Sequence, residues 1–284
     1  MLRFLVAESE TADERAARRA HTGKSAGESY AATLEQLRPG AAITIVAPAD
    51  PDPHALDADA IGAFDAVFVT GSPMHVYEDT PEVRRQIAFM RAVFASGTPS
   101  FGSCAGLQLA VAAAGGSVRE MPKRMEAGIA RRITRTDAGR DHPLLAGRAP
   151  SWDAPAIHGD EVERLPADAT LLAGNAASTV QAAEIRHAGG TFWGVQYHPE
   201  LAPGEIAVAL RRQVDALIEA GLADTPADVE QRAAQLDALH DAPDRRSILW
   251  ALGVDLQFAR EATRRLELSN FLDHFVGGQT IDRD

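Results

Sequence analysis

Four short apolar runs, separated by longer stretches of helical character, constrain this chain's fold more than any other feature. They are LRFLVA (2–7), AITIVA (42–47), AVFVTG (66–71) and TPSFGS (98–103). Runs this short and continuous read as strands buried on both faces, the pattern of a parallel sheet. Parallel neighbours need crossovers, and the segments at roughly 28–38 and 81–96 carry helical patterns that can supply them. Thr80-Pro81-Glu82 opens the second with a capping hydroxyl, a proline at the first helical position and an early acid. Residues 128–195 differ. GIARRITRT, the segment before His158, ATLLAG, STVQAAEI and TFWGVQ read as short strands joined by turns, a more antiparallel addition to the sheet. The expected fold class is α/β, a three-layer sandwich with a mostly parallel central sheet.

Beyond Pro203 the pattern turns helical, with Ile206, Leu210, Val214 and Leu217 on one face and a restart at Thr225-Pro226. From about Asp244 to Val276 the chain reads as a long amphipathic segment, either one helix or two hinged near Gly253. The expected division is a catalytic body over 1–221 and a helical C-terminal extension over 222–284. That extension reads as a layer covering the sheet or a homo-oligomer contact, with a docking surface for another subunit as the alternative. RAHTGKSAGESYAATLEQL (19–37) reads as a loop near the site's mouth that then caps a helix. Lys24-Ser25 within it lack the earlier glycines of a phosphate loop.

One cysteine in 284 residues excludes an internal disulfide and any thiolate cluster for a metal, which suits a reducing compartment. The start, MLRFLVAESE, has too short an apolar run for a signal peptide, and no stretch is long enough to cross a bilayer, so a cytoplasmic protein is expected. A net charge of −12 disfavours nucleic acid or an anionic membrane as partner. No metal and no cofactor are expected.

That cysteine, Cys104, lies in FGSCAGLQ (101–108), between the end of a strand and the start of a helix. A buried cysteine is ordinarily inert filler. Here Gly102 and Gly106 flank it two residues away on either side, the cysteine version of a nucleophile elbow whose turn tolerates little but glycine. A sulfur at a helix N-terminus is favoured as thiolate, and the N–H groups there can hold an oxyanion. The base candidate is His198 in FWGVQYHPEL, at the carboxyl end of a strand, with Glu200 two residues on to orient the ring. A plain surface turn is the competing reading of H-P-E.

G-S-C-A-G-L-Q followed by G-V-Q-Y-H-P-E resembles the class I, triad-type glutamine amidotransferases, and in particular the glutamine domain of GMP synthase. VFVTGSPMHVYED (67–79) resembles the segment that supplies an oxyanion-hole amide there. AIHGDEVERLPADATLLAGN (156–175) resembles the block whose H-G-D portion lies beside bound glutamine. The resemblance spans about residues 1–220 and implies a flavodoxin-like fold. It assigns Cys104, His198 and Glu200 as the triad, Gly71, Ser72 and Ala105 to the oxyanion hole, and Gln108, His158, Gly159 and Asp160 to substrate. His75 reads as a loop residue near the pocket mouth. Glu126 reads either as lining the site or as solvated, and is not assigned.

The first functional reading is cleavage of the γ-amide of glutamine to glutamate and ammonia through a γ-glutamyl thioester. No ATP-using domain is recognisable, so the ammonia would pass to a separate synthetase subunit. The alternative is a stand-alone γ-glutamyl hydrolase or peptidase acting on glutathione-like or γ-glutamyl-amine substrates, which needs the same triad. A catalytically silent glutamine-binding regulator is the third, and it has no need of all three triad residues.

Overall fold

Alternate residues of the first strand, β1 (Arg3–Ala7), enter two different cores: Phe4 and Val6 one, Leu5 and Ala7 the other. Burial in both directions marks a sheet covered on both faces. A computed structural model describes residues 1–51, 56–122 and 125–277. In it β1 pairs in parallel with β2 (Ala42–Val46) and β3 (Ala66–Val69). β3 then pairs with β4 (Ser100–Ser103), which pairs in parallel with β11 (Gly190–Val195). Beyond β11 the same sheet continues antiparallel through β10 (Ala182–His187), β9 (Ala169–Gly174), β6 (Glu126–Arg135) and β7 (Ser151–His158). The order is β2-β1-β3-β4-β11-β10-β9-β6-β7. β5 (Ser117–Glu120) and β8 (Asp160–Arg164) form a separate antiparallel pair, and a single turn of helix, α6 (Asp137–Arg140), follows β6. The α/β sandwich and the antiparallel character of residues 128–195 are therefore as expected, and the parallel strands carry the elbow.

Two helical layers cover the sheet. On one face lie α3 (Ala58–Ile61), α4 (Pro81–Ser96) and α5 (Ala105–Ala113), packing Ile61, Met90, Phe94 and Leu107 against Leu5, Val67 and Phe192. The opposite face receives Tyr30 and Leu34 from α2 (Ala26–Leu37) and Leu268, Phe271 and Leu272 from α13 (Leu266–Phe275). The Phe271 ring stands 5.4 Å from Phe68, 5.7 Å from Phe101 and 5.9 Å from Trp193, centroid to centroid. The far end of the C-terminal extension is thus part of a sandwich layer. A buried pair anchors it: Arg148 donates from Nε and Nη2 to the two oxygens of Glu267, 2.6 Å each, and Tyr197 donates to the same carboxylate at 2.8 Å. A third core joins α7 (Pro203–Arg212), α8 (Val214–Glu219), α9 (Pro226–Asp241) and α10 (Arg246–Leu252), with Ile129 and Ile157 of β6 and β7 against it.

Two sequence expectations need correction. The loop expected from residue 19 is largely helix: α1 (Ala12–Thr22) occupies its start, and only residues 23–25 intervene before α2. α1 buries no residue, so apolar periodicity has nothing to report there. Its ends are nevertheless encoded, by a Thr11–Glu14 capping box and by Gly23 at φ 75°. Ser25 caps α2 with Glu28 in the same way. Beyond residue 244, four helices replace the expected one or two: α10, α11 (Leu256–Ala259), α12 (Glu261–Arg264) and α13. Gly253, left-handed at φ 64°, ends α10, and the Asp255 side chain caps α11. Among the described residues no helix is long and apolar enough to cross a membrane.

Candidate active site

The turn from β4 into α5 forces Cys104 to φ 54°, ψ −111°, a conformation rare for any residue with a side chain. Its N–H donates to Val195 O at 2.8 Å, tying the elbow to β11. The flanking glycines are required by close approach. A Cβ on Gly102 would stand 2.9 Å from both the Gly106 carbonyl carbon and the Phe192 ring, and one on Gly106 would stand 2.5 Å from Val69 O. The geometry lifts the sulfur to the N-terminus of α5, where helix amides and dipole favour negative charge.

β11 delivers the partner. Three residues past its end His198 donates its backbone N–H to Pro155 O at 2.8 Å, and its Nδ1 lies 2.7 Å from Glu200 Oε1. The other carboxylate oxygen of Glu200 accepts from Ser103 Oγ at 2.9 Å, and Tyr30 OH lies 3.3 Å from that hydroxyl. Gly71 marks where ring and thiol meet: a Cβ there would stand 2.6 Å from His198 Cε1, and 3.5 Å from both His198 Nε2 and Cys104 Cβ. Burial opposes charge on His198, but Glu200 and the Cys104 sulfur outweigh it and push the imidazole up to about 10. At neutral pH the ring therefore holds a proton beside the sulfur.

Thr70 fixes the turn after β3, accepting from Ser9 N at 3.0 Å and donating to Gly71 O at 3.1 Å. Ser72 Oγ accepts from Met74 N at 3.1 Å. Among the described residues, the backbone N–H groups of Gly71, Ser72 and Ala105 meet no backbone acceptor, leaving them available to an anion.

The H-G-D block is the hairpin from β7 into β8. His158 Nδ1 faces Asp160 O at 2.8 Å, and its Nε2 faces Glu126 Oε2 at 3.1 Å, because the β6–β7 register sets Glu126 opposite His158. Glu126 also accepts from Asn175 and Gln181, both at 2.7 Å. Burial would raise its pKa, yet the His158 contact and these hydrogen bonds hold it below the usual value. Glu126 is thus a structural partner of the block, with no local sequence signal to reveal it. Gly159 is exposed with open space around it. Asp160 Oδ2 pairs with His75 Nδ1 at 2.8 Å, while its buried Oδ1 has no hydrogen-bond partner among the described residues. Burial raises the Asp160 pKa despite the half-exposed His75 beside it. Gln108 donates from Nε2 to Asp160 O and to Gln196 Oε1, 3.2 Å each, so part of its function is to brace the hairpin.

The triad candidates, the Gly71–Ser72 turn, Gln108 and His158–Asp160 all line one cavity of about 600 Å³, with Ala105, Gly102 and Gly106 forming the elbow behind it. Thr22, Ala26, Ser29 and Tyr30 also line it, so the 19–37 stretch lies at the site as expected, though as helix; the walls from the start of α1 and from α7 and α8 carry no sequence assignment. Among the described residues no cluster of three or more His, Cys, Asp or Glu could hold a metal ion.

Residues 22–214 match the family model described as "Glutamine amidotransferase class-I". The chain belongs to that family. Among curated relatives of this amidotransferase-family chain, the gamma-glutamyl-L-1-hydroxyisopropylamide hydrolase of a Pseudomonas species is 38% identical over 283 residues, covering 97% of this chain and 93% of that protein. A glutamine-hydrolysing GMP synthase of Thermosipho africanus is 34% identical over 137 residues, 48% of this chain and 24% of the synthase. A glutamine amidotransferase structure from Thermotoga maritima superposes with a TM-score of 0.64 at 16% identity, covering 98% of this chain and 99% of that one, a likeness of fold.

Proposed function

We propose that the protein is a stand-alone hydrolase of γ-glutamyl amides, releasing glutamate and a small amine. The likeness that carries this reading is the full-length one: the γ-glutamyl amide hydrolase matches over 97% of the chain, helical extension included, whereas the likeness to the synthase spans 48%. Sequence alone put glutamine first. The full-length relative favours the conjugates instead, as does a cavity with walls beyond those near Cys104 and Asp160.

Asp160 offers its unpartnered Oδ1 to the substrate's α-ammonium, and an arriving cation offsets the burial that raises its pKa. Gln108, His158 and Gly159 shape that end of the pocket. The γ-carbonyl then lies over Cys104, its oxygen facing the amides of Ala105 and of Gly71 or Ser72. The Cys104 thiolate attacks the γ-carbon, and those donors stabilise the oxyanion. His198 gives its proton to the amide nitrogen as the C–N bond breaks, leaving a γ-glutamyl thioester and a free amine. The neutral imidazole next takes a proton from water as the hydroxide attacks the thioester. Collapse releases glutamate and restores the thiolate–imidazolium pair. Glu200, held by Ser103, keeps the ring oriented and balances its charge throughout.

The test is glutamate release from glutamine and from a panel of γ-glutamyl amines and peptides. Faster turnover of conjugates than of glutamine, abolished in Cys104→Ala, is expected. Turnover of glutamine alone would return the reading to an ammonia donor, and turnover surviving in Cys104→Ala would remove the mechanism.

A further inference from the structure

The cavity's other polar groups are unevenly committed. The acids on the α1 and α7 sides are engaged: Glu14 accepts from Thr11 N at 2.7 Å and Glu205 from Ala202 N at 2.9 Å, each closing its own helix. Glu10, buried three residues beyond β1, accepts from Ala26 N at 3.2 Å. The cations are less tied. Arg18 of α1 is ion-paired with Glu10, Nη1 3.6 Å from Oε1, a spacing too long for a hydrogen bond, and among the described residues its side chain makes none. Its Nε is buried, with no hydrogen-bond partner among the described residues. Arg212 of α7 lines the same cavity, exposed, and among the described residues forms no ion pair. An arginine with unspent donors in a pocket wall is built for a planar, doubly accepting oxygen anion.

We propose that Arg18, aided by Arg212, forms the leaving-amine subsite and selects γ-glutamyl amides whose amine carries a carboxylate, that is, γ-glutamyl amino acids and short peptides. This rests on the γ-glutamyl amide reading above and deepens it. The scissile nitrogen sits between Cys104 and His198. With the γ-glutamyl end at Asp160, the amine extends into the space bounded by α1, α2 and α7. A guanidinium there attracts a carboxylate, donates more weakly to a hydroxyl, and repels a second ammonium.

The test uses three amides of nearly equal shape, γ-glutamyl-L-alanine, γ-glutamyl-L-alaninol and γ-glutamyl-isopropylamine, together with γ-glutamyl-putrescine. For the intact wild-type chain, kcat/KM should fall in that order. The carboxylate should be preferred to the isopropyl amide by on the order of tenfold or more, the scale of a charge-assisted contact. In Arg18→Ala that preference should collapse towards one, with a smaller loss in Arg212→Ala. Because the substrate order is read on the unaltered protein, it stands even if a variant folds poorly. Equal rates for the alanine and isopropyl amides, or putrescine ranking first, would overturn the subsite while leaving γ-glutamyl hydrolysis intact. A preference persisting in a folded Arg18→Ala would do the same. Hydrolysis of none of the four would remove the parent reading, and this one with it.

Discussion

Gly71→Ala tests the heart of the site with one methyl group. Gly71 is not among the glycines with positive φ, so alanine suits its backbone and the only difficulty is space. The new Cβ would stand 2.6 Å from His198 Cε1, whereas ordinary contact begins at 3.4 Å, so the ring must retreat by about 0.8 Å. It has little freedom to do so. Glu200 holds Nδ1 at 2.7 Å, Pro155 O holds the backbone N–H at 2.8 Å, and the side chain is buried. The displacement therefore falls on the Cys104–His198 contact. A misplacement near 1 Å costs roughly a hundredfold in rate, or about 2.7 kcal/mol of barrier. The assay is kcat for a γ-glutamyl amide by glutamate release, with the rate of Cys104 alkylation against pH to report the thiolate and a thermal melt to confirm folding. The expected variant folds, turns over about a hundredfold more slowly, and reacts with the alkylating agent more slowly at neutral pH. A folded variant within about twofold of wild type, far short of the loss that such a displacement causes, would refute the placement of Gly71 against the imidazole and with it the shared corner of thiol and ring.

Two further expectations rest on charge. With His198 pushed from its ordinary 6.5 up to about 10, kcat/KM should show its alkaline limb near pH 10; activity that instead rises with pH through a limb near 6.5 would mean that the neutral ring is the working form. The sign for stability follows from the raised pKa: the contribution of the His198 charge is complete below pH 6.5 and is lost as pH rises through about 10, which denaturant titrations of wild type and His198→Gln would show as converging stabilities. Glu267→Gln would leave the Arg148 guanidinium buried opposite a neutral amide, a loss of about 3–5 kcal/mol. It would register as a Tm lowered by roughly 6 °C or more, and an unchanged Tm would show that the pair does not hold α13 to the sheet.

The elbow and the H-P-E turn were legible because their chemistry is local. Glycines at fixed offsets, a strand end and a proline are all visible within ten residues. The buried strands of the parallel half and α4, with its Thr80 cap, were legible for the same reason. What sequence missed was set by distance or by polarity. Glu126 reaches His158 only because β6 and β7 pair in one register, and nothing near R-M-E-A announces that. The polar surface of α1 carries no apolar stripe, so its capping box and Gly23 were its only signals. In the extension, periodicity marked Phe271 and Leu272 as apolar but could not say that their partners are Phe68 and Trp193, some eighty to two hundred residues earlier.

The left-handed backbone at Cys104 has a consequence for how such a chain can change. A side chain held in so sparsely populated a conformation costs on the order of 1–3 kcal/mol, and glycine at that position would escape most of it. The most strained residue of the elbow is also the one that the proposed mechanism uses as its nucleophile, so it cannot be relaxed without losing that step. Any pressure that rewards thermal stability alone, whether drift after the substrate disappears or a laboratory screen for heat resistance, would find Cys104→Gly among its cheapest gains. It would leave a sturdier fold, pocket intact, without the sulfur on which the proposed thioester forms.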